Sequence, residues 1–328
     1  MRRAKHRATA ILATAAVAAL VPVTPAFAAA APSVSANVAT VGSAPAVPYG
    51  AHAEGATPLD QSLSFDVVLK PRNQAALDSF VQQVSTPGSP QYRHFLAPGE
   101  YAATFGPTTQ AIASVKSSLA ALGLKVNSVT GSVISVSGSV AQVGSALQTS
   151  FTQYQLSSGR IARANTSAPK LPITVAPLVQ GVVGLDDLVQ LNHGPVEQDT
   201  LAPQTTAPVQ TCLGPGSGAL GYYNEDQLAS YYGLSTLYSH NTYGDGIHVA
   251  LFELEPFRAS DIAHFQSCYG TSALVNTITV GGVGAGDGGE ATLDIEDVIG
   301  LAPAATVDVY EGPNSGTGIV NVYNKMAT

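Results

Sequence analysis

The sequence predicts two successive mixed domains, the first an α+β unit and the second built on a parallel α/β sheet. Three observations carry this. The 328 residues are enough for two domains with cores of their own. Hydrophobic residues make up 45% of the chain and charged ones 11%, a globular balance rather than a disordered one. Strand and helix patterns alternate through residues 63–188. They then repeat as strand, helix, strand, helix, strand through residues 247–310.

The elements follow in order. Arg2, Arg3, Lys5 and Arg7 precede an apolar run from Ala8 to Val21, and Ala26-Phe27-Ala28 has the small-x-small pattern of a cleavage site. Residues 1–28 therefore read as a secretory signal peptide, the run being shorter than a membrane span needs. An Ala/Pro/Val/Ser-rich stretch follows, and residues 29–62 are expected to form a flexible lead-in. Leu63 to Leu69 reads as a strand. Asn73 to Val84 has helical spacing through Ala76, Leu77, Phe80, Val81 and Val84. Thr108 to Leu122 is a second helix, closed by Gly123. Strands are expected at Val126 to Val129 and Val133 to Val136, then a helix at Val140 to Leu147. A hairpin follows around Ser157-Ser158-Gly159. This order predicts a ferredoxin-like α+β sandwich over 63–192. Residues 193–218, rich in Pro, Thr, Gln and Gly, read as an exposed linker suited to a processing site.

The second domain, 219–328, opens with a helix from Glu225 to Tyr232. Ile247 to Phe252 is a short β-rich run. Ser260-Asp261 is expected to cap a helix reaching Tyr269. Leu274 to Val280 is a strand, Glu290 to Leu301 a helix stopped by Pro303, and Thr306 to Tyr310 another strand.

Charge is uneven. From Gln210 onward there are 13 acidic residues against two basic ones, Arg258 and Lys325, whereas residues 29–209 are nearly neutral. An acidic surface excludes nucleic acid as a partner, since phosphate recognition needs a basic face. It has two other readings, plain solubility or a protein built for acid, where protonated carboxylates limit repulsion. With no later apolar run of spanning length, no membrane partner is expected, and the chain reads as a secreted monomer. In an oxidising compartment, Cys212 and Cys268 are expected to form one disulfide.

The chemistry concentrates in Gly289-Glu290-Ala291-Thr292-Leu293-Asp294-Ile295-Glu296. On a helix Glu290 and Asp294 are one turn apart and share a face, with Asp297 close to the same stripe and Ile295 and Ile299 roughly opposite. Paired carboxylates resist ionising together, so one holds a proton and the pair can act as base and then acid. A solvated acidic helix start is the plainer reading, and the pair alone does not exclude it. Glu253 ends a strand, where functional groups collect in parallel sheets. Glu255 beside it reads as an ordinary loop acid. Gly284-Ala285-Gly286-Asp287-Gly288-Gly289 matches G-x-G-x-x-G, but Asp287 and Glu290 would repel a pyrophosphate.

Several segments together resemble the sedolisins, the serine-carboxyl peptidases that include kumamolisin. Glu290 to Glu296, Leu301-Ala302-Pro303-Ala304-Ala305 and Val307-Asp308-Val309-Tyr310 are similar to that family's G-E-x-x-L-D-I-E … L-A-P-x-A block. Tyr223 to Leu234 resembles its entry helix, and Gly244 to Glu253 its G-x-G-x-x-I-A-I-x-E strand. Ser89 to Leu96 and Glu100 to Pro107 resemble the activation prodomain's S-P-x-Y-x-H-F-L … E-Y-x-x-x-F-G-P signature. The resemblance implies an inhibitory prodomain followed by an incomplete, subtilisin-like parallel-sheet catalytic domain. It implies Glu290 as general base and acid, Asp294 as the residue that orients it, and Glu253 as an auxiliary partner. His94 is a motif residue without a catalytic role. The resemblance also implies a Gly-Thr-Ser nucleophile, an oxyanion aspartate and a calcium site, all expected beyond Thr328. Ser315-Gly316-Thr317 does not match the nucleophile segment. The chain alone is therefore expected to be inactive.

The expected function is that of a secreted, acid-acting serine-type endopeptidase made as a proenzyme. Its partners would be protein or peptide substrates, and its prodomain would cap its own catalytic domain. Acid is expected to weaken carboxylate contacts of the prodomain and permit linker cleavage. The alternatives are a secreted inhibitor module made of the prodomain, or an inactive relic.

Overall fold

A computed structural model describes residues 37–97, 99–190, 225–286 and 288–328. The signal peptide at 1–28, the linker and processing site at 193–218, and Cys212 lie outside the described residues.

The first region opens with β1 (Val38–Thr40), β2 (His52–Ala56) and β3 (Ser62–Leu69). Three helices follow, α1 (Gln74–Ser85), α2 (Glu100–Thr104) and α3 (Thr109–Ala121). Then come β4 (Lys125–Thr130), β5 (Val133–Ser139), α4 (Val140–Leu147), β6 (Phe151–Gln155), β7 (Ile161–Asn165), β8 (Lys170–Pro172) and β9 (Val179–Val183). A four-stranded antiparallel sheet runs β4-β5-β3-β9. Leu63, Phe65, Val67 and Leu69 alternate onto one face of β3 and meet Val115 and Leu119 of α3 and Val143 and Leu147 of α4. Three of the helices start at side-chain caps. Asn73, Thr108 and Ser139 each accept an amide of the first turn, and Ser139 with Gln142 completes a capping box.

β1 and β2 fall within the stretch expected to be a flexible lead-in. β1 pairs with β8, and β2 pairs with β6 at the edge of a second antiparallel sheet, β2-β6-β7. Three to five residues are too few for a periodic signal, and their order comes from the partner strand.

The second region consists of α5 (Glu225–Tyr231), α6 (Ser235–Tyr238), β10 (His248–Glu253), α7 (Ala259–Tyr269), β11 (Leu274–Thr279), α8 (Gly289–Leu301), β12 (Thr306–Glu311) and α9 (Gly316–Met326). Its strands pair in parallel in the order β10-β12-β11, with Glu253 opposite Glu311. Ile262 and Phe265 of α7, Ile295 and Ile299 of α8, and Val307 and Val309 of β12 form its core. The expected cap of α7 is corrected. Arg258 stands at the N-cap without a side-chain bond, and the Ser260 hydroxyl instead donates to Asp261 Oδ1 at 3.1 Å. Cys268 on α7 is disulfide-bonded.

α9 links the two regions. Tyr323 stacks on Phe252 of β10 with ring centroids 4.5 Å apart. On its other side, Asn321 Nδ2 donates to Asp66 Oδ2 at 2.9 Å and Asn324 Nδ2 to the Thr130 carbonyl at 2.9 Å. Alternation along β3 puts Asp66 on the face away from the first core, where α9 covers it. No helix among the described residues is long and apolar enough to cross a membrane.

Candidate active site

Three segments bring carboxylates to the carboxyl end of the parallel sheet. β10 ends in Glu253 and β12 in Glu311, and because these strands pair in register the two glutamates arrive side by side. α8 follows a glycine-rich loop and carries Glu290 in its first turn and Asp294 one turn later. Ala291, Ile295 and Ile299 of α8 are fully buried, so the helix is held on its apolar side and its acidic side is directed by that packing.

Glu253 is 2% exposed and its Oε1 has no hydrogen-bond partner. Burial, with the negative charges of Asp294, Glu290, Glu255 and Glu311 added, pushes its carboxyl up to about 8. Burial also raises Asp294, opposed by a hydrogen bond from Glu253. At neutral and acidic pH the buried carboxyl of Glu253 thus keeps its proton and donates it to Asp294. Burial raises Glu311, and a backbone hydrogen bond from Phe257 works against it. The arrangement is a set of coupled acids that stores at least one proton in a low-dielectric site. Chemically, it can accept a proton at one carboxylate and return it without the charge being lost to water.

The structure brings together the three expected residues, Glu253, Glu290 and Asp294. Asp297 also senses Asp294, along with Glu225, and burial raises it. His94 lies apart, in an exposed turn of the first region. Ser315 caps α9, its hydroxyl accepting the Gly318 amide at 3.0 Å. Two residues were missed by sequence reasoning, Glu311 and Glu255. Glu311 was visible as the last residue of a β-rich run. Glu255, taken for an ordinary loop acid, is 5% exposed, and its Oε1 accepts the Glu290 amide at 2.6 Å and the Ala291 amide at 3.3 Å.

The glycine-rich loop has a local reason. A Cβ on Gly284 would overlap the Leu254 carbonyl, and one on Gly286 would overlap the Glu255 carboxylate. The loop needs glycine to pass over residues 254–255, so a bound phosphate is not required to explain it. No group of three or more His, Cys, Asp or Glu side chains among the described residues is arranged to hold a metal ion. The calcium expected from the resemblance therefore finds no donor set among these residues.

Comparison with known proteins gives a consistent result. Residues 49–188 match the family described as Pro-kumamolisin, activation domain. Xanthomonalisin of Xanthomonas sp. (strain T-22) is 27% identical over 288 residues, covering 82% of this chain and 34% of its own length. Sedolisin of Pseudomonas sp. (strain 101) is 25% identical over 284 residues, covering 80% of this chain and 45% of its own. Kumamolisin of Bacillus sp. (strain MN-32) is 26% identical over 273 residues, with 80% and 47% covered. The chain thus spans less than half the length of each of these curated relatives.

Proposed function

We propose that the chain, which matches the Pro-kumamolisin activation domain over residues 49–188 and is similar to xanthomonalisin, sedolisin and kumamolisin, is part of a secreted, acid-acting serine-type endopeptidase proenzyme of the sedolisin family. Glu290 is its general base and acid, Asp294 orients Glu290, and Glu253 supplies the proton that holds Asp294 in place. The observation that carries this reading is the buried Glu253 carboxyl, hydrogen-bonded to Asp294 and beside Glu290 at the carboxyl end of a parallel sheet, with its Oε1 left without a partner.

In this reading a serine hydroxyl attacks the substrate carbonyl, and Glu290 takes its proton as the new C–O bond forms. The same proton then goes to the leaving amine as the C–N bond breaks. The serine, an oxyanion aspartate and a calcium site are not matched to residues among those described. Acid suits the site because raised carboxyls such as Glu253 and Asp294 hold protons there. The first region's strand order β4-β5-β3-β9, with helices between, supports a ferredoxin-like activation domain. The order β10-β12-β11 with crossover helices supports a subtilisin-like catalytic sheet.

The activation domain grips α9 through Asp66 and Thr130. Burial raises Asp66, outweighing its hydrogen bonds from Asn321 and Ser135. Protonation on acidification relieves that desolvation cost, while the Asn321 hydrogen bond itself favours the ionised carboxylate and is the part that acid weakens. In this reading the Asn321 bond to Asp66 is one of the carboxylate contacts through which acid loosens the prodomain, with cleavage within 193–218 following.

The test is peptide hydrolysis at acidic pH by the complete gene product, comparing wild type with Glu290→Gln. The variant should lose about 10²–10⁴-fold in kcat with folding intact. Wild-type turnover in Glu290→Gln would remove Glu290 from the mechanism.

A further inference from the structure

We propose that Glu255 is a positioning residue for Glu290, its buried carboxylate capping α8 from the preceding loop and fixing the first turn that presents the base. This rests on the reading of Glu290 given above.

A helix leaves its first amides without intrahelical partners, and a side chain at the N-cap ordinarily satisfies one of them. Here the N-cap is Gly288, left-handed at φ 84°, with no side chain to offer. Glu255 does this work from a distance of 35 residues in sequence, one oxygen taking the amides of both Glu290 and Ala291. A carboxylate accepting from helix N-terminal amides makes a strong, short bond and meets the positive end of the helix dipole. The Glu290 amide is the nearer partner, so the bond acts on the backbone of the residue whose side chain moves the proton.

The surroundings are built for this contact. The loop leading into α8 lies so close over residues 254–255 that side chains at 284 and 286 are excluded, the second by the Glu255 carboxylate itself. Ala291, the other amide donor, is fully buried, so this turn is packed as well as hydrogen-bonded. Glu255 also acts on the cluster through charge, since it is one of the anions that raise Glu253. A cap serving stability alone would need the hydrogen bonds but not this second effect.

The experiment uses the chain itself, as wild type, Glu255→Gln and Glu255→Ala. It reads amide hydrogen exchange along α8 and the Glu253 titration by carbon-13 carboxyl NMR. Glu255→Ala should speed exchange at residues 290 and 291 by about tenfold relative to Ile299. Glu255→Gln retains an acceptor, so exchange should change little while the Glu253 midpoint falls as one neighbouring charge is lost. Exchange that is unchanged in the alanine variant, or faster by the same factor throughout α8, overturns the proposal. So does an unshifted Glu253 midpoint in the glutamine variant, which remains readable where the alanine variant fails to fold. If these results hold while Glu290→Gln keeps full peptidase activity, the clamp on α8 stands and the assignment of the base fails.

Discussion

The two regions treat buried charge differently. In the first, twenty buried apolar side chains form one core, and the buried acid among the described residues, Asp66, stands on the opposite face of the sheet. In the second, seven buried apolar side chains form the core, and Glu253, Glu255 and Glu311 crowd the ends of its strands and the loop beyond. Burying an acid costs free energy unless it keeps its proton or finds donors. Here one acid, Glu253, keeps a proton and another, Glu255, takes helix amides. The small core thus supports an arrangement that works against stability, as sites built for chemistry commonly do. The larger core carries no such load and can act as a rigid support.

The contrast can be broken most forcefully in the cores. Phe65→Ala should cost the first region about 3–5 kcal/mol, and Ile295→Ala the second about 2–5 kcal/mol. Urea unfolding followed by hydrogen exchange would separate the two. A smaller loss from Ile295→Ala would mean that α8 settles into the vacated space.

Glu253→Gln tests the stored proton. A carboxyl raised to about 8 in the folded state, from an ordinary value of 4.5, binds a proton that the unfolded chain has released. Its contribution to stability is therefore full below about pH 4.5 and declines as pH rises through 8. The glutamine variant should flatten the fall in stability of the second region between these limits. An unchanged pH profile would mean that Glu253 ionises as an exposed acid does. The smallest effect is expected from Ser139→Ala, which removes half of a capping box on α4. It should cost about 1 kcal/mol by chemical denaturation, with the pH dependence of the second region untouched.

The parts of the fold that were legible are those that repeat a pattern. The apolar run Leu63 to Leu69 was readable as β3, the spacing of Ala76, Leu77, Phe80, Val81 and Val84 as α1, and Thr108 to Leu122 as α3. β1, β8 and α6 hold three or four residues each, too short to show a period, and exist because of partners distant in sequence. In the site, Glu290 and Asp294 could be read from helical spacing and Glu253 from its place at a strand end. Glu255 could not, because its partners are backbone amides, which look alike in every sequence. Ser260 misled for the opposite reason. It is a good capping residue standing two positions inside the helix boundary, and its hydroxyl turned to Asp261.

The strand order β10-β12-β11 bears on how the protein emerges from the ribosome. The strand synthesised last lies in the middle, and neither earlier strand has a ladder partner until residues 306–311 leave the exit tunnel. Until then Glu253 sits on an unpaired segment in water, where an ionised acid costs nothing. The first region has no such delay, since β3 and β5 can pair once residue 139 is free. During translation, the β3–β5 ladder of the first region can therefore already be in place when Glu253 and its neighbouring acids first lose contact with solvent.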